Sequence, residues 1–202
     1  MDLFADQIVG AFQDFGEWGM LSALVCLVLL DGAGLPTIPE MWLVIFFGAH
    51  PEAIAWGLTI AVVASIAGLG GILIQYSLAR LARLPKKICR LMKKYTDFLV
   101  LHDERLLLIN KAAPMIPYSG AFVAALGWNL RKSLAYSFIG ALAKTTMVVA
   151  IAYFTFGSLA REVAGWLSIV LVGCVLCCSL FISLVLKRRY GLENTKSEGA
   201  VA

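Results

Sequence analysis

Residues 18–50 read WGMLSALVCLVLL, then Asp31-Gly32-Ala33-Gly34-Leu35-Pro36-Thr37-Ile38-Pro39-Glu40, then MWLVIFFGAH. Two apolar arms flank a tip that holds two carboxylates, two prolines and two glycines. Each arm falls short of the ~20 helical residues that a bilayer core requires. On this stretch alone two readings stay open. The arms are buried core helices, or they form a re-entrant pair that dips into a membrane and returns. The rest of the chain decides between them.

Of the 202 residues 60% are hydrophobic, and the mean hydropathy is +0.85. A soluble domain sits nearer to about 45–50% apolar. The composition therefore predicts an integral membrane protein of one domain. No cleavable signal peptide is expected, because Asp2, Asp6, Asp14 and Glu17 stand where a basic leader would carry Lys or Arg. Cys174, Cys177 and Cys178 lie inside an apolar run and read as small packing groups rather than as a redox or metal motif. There is no nucleophile–base pair, no phosphate loop and no metal-ligand spacing, so neither an enzyme nor a bound cofactor or metal is expected.

Along the chain, residues 1–17 place Leu3, Phe4, Ile8, Phe12 and Phe15 at roughly helical spacing among acids. They predict an amphipathic helix at the interface. Residues 53–82 predict a spanning helix, with Gly68, Gly70 and Gly71 for close helix packing. Residues 85–101 predict a basic amphipathic helix suited to anionic lipid headgroups rather than to nucleic acid. The opening pattern then recurs over 105–130: two short arms around Pro114-Met115-Ile116-Pro117-Tyr118-Ser119-Gly120. Spanning helices are predicted over 133–157 and 166–186, and a disordered cytoplasmic tail over 191–202. The membrane domain thus covers 18–190.

Charge orders these segments. If the basic block after residue 80, Arg131-Lys132 and Lys187-Arg188-Arg189 all face the cytoplasm, the three spans alternate correctly. That holds only when 18–50 and 105–130 each enter and leave on one face. The expected N-terminus is then outside and the C-terminus cytoplasmic, with Trp18, Trp56 and Trp166 near the outer interface. The predicted fold is an all-α integral membrane protein. It has two oppositely entering re-entrant helical hairpins in an inverted repeat, three spanning helices and amphipathic interfacial helices.

The tips carry the candidate chemistry. Asp31 and Glu40 sit at the first, and Lys111 precedes the second; Lys144 lies midway along 133–157. A charge at the bilayer centre costs about 2.5–3.5 kcal/mol on insertion scales, so its presence asks for a partner or a wet cavity. Substrate or proton binding is one role for the four. Helix capping is the other for Asp31 and Glu40, and an ion pair with an acid is the other for Lys144. Pro36, Pro39, Pro114 and Pro117 mark the hairpin tips. His50 and His102 read as loop residues, and Glu52 as a surface acid.

At these positions the chain resembles the DedA family, the SNARE-associated or VTT-domain membrane proteins. Asp31, Pro36 and Glu40 match the acid, first proline and glutamate of that family's Pro-x-Pro-Gly-Glu tip, with Ile38 and Pro39 at the second proline and glycine. Tyr76 and Arg80 match its Tyr-x-x-Gly-Arg segment, where Ala79 stands at the glycine. In the second tip, Arg-x-x-Pro-x-x-Arg, Lys111 and Pro114 match and Pro117 stands at the second arginine. Ala124-Ala125 fits a small pair, Gly140 a later glycine, and Lys144 falls near a usual tryptophan. The likeness spans residues 20–157 and marks a divergent member. It implies a phospholipid or polyprenyl-phosphate transporter or scramblase, often proton-coupled, in a prokaryotic plasma membrane. Lys144 is expected to supply the charge of the absent arginine. Two rivals are kept: a small-solute or ion exporter on the same scaffold, and a membrane assembly factor without transport. Membrane lipids are the expected partners, and an oligomer is allowed.

Overall fold

The computed structural model describes residues 16–35, 37–82, 92, 103–112, 116, 118–158 and scattered positions from 167 to 185. The expected amphipathic helices over 1–17 and 85–101, apart from residues 16, 17 and 92, lie outside the described residues, as do Pro36, Pro114 and Pro117, about half of the 166–186 span and the 191–202 tail. Among the described residues six helices carry the fold: α1 Gly16–Ala33, α2 Pro39–Phe47, α3 Ile54–Leu81, α4 Leu106–Ala112, α5 Ser119–Leu126 and α6 Leu130–Ser158. Among the described residues there is no strand. Helices α1, α3 and α6 are long and apolar enough to cross a membrane, which marks a membrane-embedded chain.

The first of these departs from the sequence reading. The apolar arm 18–30 looks too short to span, yet α1 has 18 residues and runs on through Asp31 and Gly32. At 1.5 Å per residue that is about 27 Å. A polar residue in the last turn does not break a helix, because its N–H still bonds one turn back. The stop comes at Gly34, with φ 110°. Its N–H donates to the Asp31 carbonyl, and the Leu35 N–H to the Leu30 carbonyl, both at 3.0 Å. This pair of bonds is the Schellman closure that satisfies the last carbonyls of a helix.

Both short second arms begin alike. Ile38, before α2, has φ 47°; Tyr118, before α5, has φ 54°. Each is a non-glycine residue in the left-handed region. Pro39 then opens α2 at a position whose N–H has no intrahelical partner to lose.

Each helix pair folds back to its own starting level. Glu17, at the start of α1, lies 3.9 Å from His50, just past α2. Glu104, just before α4, accepts the N–H of Asn129, just past α5, at 3.0 Å. That bond holds the Glu104 carboxyl below the usual carboxylate range.

Packing relates the two halves by exchange. Helix α1 lies on α3, and α4 lies on α6; α2 lies on α6, and α5 lies on α3. The long helices α3 and α6 pack on one another. Swapping the halves maps this set of contacts onto itself. Glycine permits the closest approaches. A Cβ on Gly32 would sit 2.6 Å from the Gly71 Cα, and one on Gly120 would strike the Ile72 carbonyl oxygen. A Cβ on Gly140 would meet the Leu108 carbonyl at 2.9 Å.

The main core joins α1, α2, α3 and α6 through Leu24, Leu43, Phe46, Phe47, Ile60 and Ala152. A smaller one gathers Leu106, Ile116 and Phe122 around the second pair. Apolar side chains such as Ile54, Leu58 and Ile66 on α3, and Ile139, Met147 and Phe154 on α6, face outward. Hydrocarbon tolerates such a surface, whereas water penalises it. Trp18 is exposed, as an interfacial anchor would be, but Trp56 is buried. Its indole N–H donates to the Phe46 carbonyl at 2.9 Å, and His50 stands edge-on to its ring. The sequence placed Trp56 in an aromatic belt; a buried hydrogen bond across the α2–α3 connection holds it instead.

Candidate functional site

Four elements bring charge to one place. Asp31 lies in the last turn of α1, and Glu40 in the first turn of α2. Lys111 lies in the last turn of α4, and Lys144 midway along α6. All four line a single cavity of about 220 Å³, with Gln75, Tyr118, Ser119 and Thr145 among the other lining residues. The acids come from the first half of the chain and the lysines from the second.

The helix dipole sorts these residues. Glu40 at an N-terminus and Lys111 at a C-terminus each complement their own helix. Asp31 opposes its helix, since a carboxylate at the negative end is disfavoured. Glu40 is buried and forms an ion pair with Lys144. The ion-pair reading of Lys144 is therefore present in the structure, and α2 has no side-chain cap at its N-terminus.

The remaining named residues fall into two groups. Gly140 lies directly under Lys111: a Cβ there would sit 3.1 Å from the Lys111 Cβ and 3.2 Å from its Cγ. Its lack of a side chain makes room for the lysine stem. Tyr76 and Arg80 lie near the end of α3, where the guanidinium donates to the phenol oxygen at 3.3 Å. Neither of them lines the cavity. Pro39 starts α2; the other three tip prolines lie outside the described residues.

Sequence reasoning missed the uncharged side chains that set the tips. Gln75, on α3, touches both halves. Its Nε2 donates to the Gly32 carbonyl at the end of α1, and its Oε1 accepts the Gly120 N–H at the start of α5, at 2.9 Å. Asn110 fastens the second tip. Its Nδ2 donates to the Ile116 carbonyl at 3.2 Å and to Ser119 Oγ at 3.0 Å, and its Oδ1 accepts the Ile116 N–H. The Thr145 and Ser65 hydroxyls meet at 3.1 Å between α6 and α3. The signal available in sequence was weak: neutral polar residues inside apolar runs. The first tips also touch, since a Cβ on Gly34 would come within 3.0 Å of the Tyr118 ring.

Chemically, this is a small space with two carboxylates and two ammoniums, one pair of them joined. It can bind charged groups, and its acids can take up or release protons. Among the described residues, no group of three or more His, Cys, Asp or Glu is placed to hold a metal ion. Compared with protein families, curated proteins and solved structures, the chain matches none of them.

Proposed function

We propose that the protein is a membrane lipid transporter or scramblase on a DedA-like scaffold, acting on lipids of the phospholipid or polyprenyl-phosphate class. One observation carries the reading: charged side chains from both halves of the chain converge on one cavity within a bundle of apolar helices. Such charges are costly in hydrocarbon and mark substrate or ion paths. In this reading α1 with α2, and α4 with α5, enter the membrane from opposite faces as re-entrant hairpins. Their exchanged packing supports an internal repeat. The proximity of Glu17 to His50, and of Glu104 to Asn129, supports hairpins that return to the face they left.

A headgroup enters the cavity and its acyl tails stay in the bilayer. Lys111 attracts the phosphate, Lys144 pairs with Glu40 or releases it, and the two acids, Asp31 and Glu40, are the groups on which proton coupling would act during the cycle. Reconstitution in liposomes tests these roles. Lys111→Gln and Glu40→Gln lower the rate of lipid flipping about tenfold or more, the size of one lost charge-assisted hydrogen bond. Unchanged rates in both variants overturn the assignment. Cysteine labelling tests the hairpins separately: positions 17 and 52 label from the same side.

The cavity size favours a second reading, a small-solute exporter on the same scaffold, because about 220 Å³ accommodates a small polar solute without any tail. Solute uptake without lipid movement would select it.

A further inference from the structure

We infer that the cavity takes a guest bearing a primary ammonium and an oxyanion together; the inference rests on the transport reading above. Counting charges on the lining gives the argument. Asp31 and Glu40 contribute two negative charges, and Lys111 and Lys144 two positive ones, so the ionised set sums to zero. Glu40 and Lys144 already satisfy each other. Asp31 and Lys111 form no salt bridge among the described residues. Each presents an unmatched charge to the same space.

A guest with a single negative charge satisfies Lys111 and leaves the site unbalanced among apolar helices, which is costly. A zwitterion answers both ends. Its oxyanion meets the Lys111 ammonium, and its own ammonium donates to the Asp31 carboxylate, both charge-assisted bonds. The surroundings hold this arrangement in place. The Lys111 stem rests on Gly140, which leaves it no side chain to avoid. Asp31 is exposed and lines the cavity. A quaternary ammonium has no N–H to offer Asp31, so choline is a poorer guest than ethanolamine. Two sources carry this chemistry: the ethanolamine phosphodiester headgroup of a lipid, and a free zwitterion with the same phosphodiester, glycerophosphoethanolamine.

The test uses the full chain in liposomes. Tail-labelled lipids with ethanolamine, choline, glycerol and phosphate-monoester headgroups are followed by their protection from an impermeant quencher. Uptake of radiolabelled glycerophosphoethanolamine, and of glycerophosphoglycerol as its counterpart without an ammonium, is measured in parallel. The ethanolamine lipid moves about tenfold faster than the glycerol lipid, the ratio one charge-assisted hydrogen bond supplies. Asp31→Asn brings the two to near parity, and Asp31→Glu restores part of the preference. Glycerol or phosphate-monoester lipids that match ethanolamine on the unmodified protein overturn the inference and leave the transport reading standing. Uptake of glycerophosphoethanolamine in preference to glycerophosphoglycerol, without lipid movement, upholds the inference and overturns the lipid reading. Movement of no probe overturns both.

Discussion

Among the described residues, Asn110 laces the tip of the second helix pair with three hydrogen bonds, two of them to the Ile116 peptide groups and one to Ser119. Across the tip of the first pair, among the described residues, the Thr37 hydroxyl makes a single side-chain bond, to the Leu27 carbonyl at 2.9 Å. The backbones otherwise follow one plan. Each pair has a left-handed non-glycine residue before its second helix, a glycine pressed against α3, and a glutamate at its base. The charges differ as well, with both acids in the first pair and a lysine in the second. A shared scaffold with unequal fastening teaches that the first tip is the easier one to move. Both cavity acids, Asp31 and Glu40, sit on that looser tip.

The contrast can be broken most severely at the glycines. Gly120→Ala drives a Cβ into the Ile72 carbonyl, and Gly32→Ala one into the Gly71 backbone. Neither neighbour is a flexible side chain, so each variant loses about 3 kcal/mol in unfolding measured in detergent. Gly157→Ala, with nothing within 4 Å of its Cβ, changes stability by about 0.5 kcal/mol or less. Equal behaviour of Gly120→Ala and Gly157→Ala would contradict the close packing of the second pair on α3.

The charged residues come next. Lys144→Met strands the buried Glu40 carboxylate and costs about 2–3 kcal/mol, reduced from a fully buried pair because the lysine is partly exposed. Adding Glu40→Leu recovers most of that loss. Lys111→Met, which breaks no ion pair among the described residues, costs about 1 kcal/mol or less. A double-mutant cycle reads the coupling, and purely additive losses would remove the ion pair from the account.

Unequal fastening is checked by a smaller difference. Asn110→Ala leaves the buried Ile116 peptide unpaired and costs about 2 kcal/mol, against about 1 kcal/mol for Thr37→Val. Hydrogen exchange sharpens the point: the Ile116 amide is protected in the unmodified chain and exposed in Asn110→Ala. The weakest effect is at the base of the second pair. The folded Glu104 carboxyl titrates below its ordinary value of 4.5, so its stabilisation is complete above that pH. It is lost as pH falls through the depressed folded value. Glu104→Gln removes this part of the acid sensitivity in a detergent melting series, and an unchanged acid limb would show that the Asn129 bond contributes nothing.

Charge made the site legible in the sequence, and neutrality hid its framework. Asp31, Glu40, Lys111 and Lys144 stand out because an ionised group in an apolar run is expensive enough to demand a reason. Gln75 and Asn110 cost far less to bury, so nothing in their surroundings announces them, yet they position both tips. The apolar pattern understates α1 because it stops at Asp31, whereas Gly34, three residues later, ends the helix through its φ. Pairing of the halves was legible as a recurrence of short arms around prolines, but which helix rests on which depends on glycines that many apolar segments contain.

Ile38 and Tyr118 hold backbone angles that cost a residue with a side chain about 1–2 kcal/mol. Any motion that extends either turn relaxes that residue, so this part of the path runs downhill. What holds the tips against that release is the set of hydrogen bonds made by the Gln75 and Asn110 side chains. Glycine at position 38 or 118 would remove the stored energy and leave the resting shape harder to depart from.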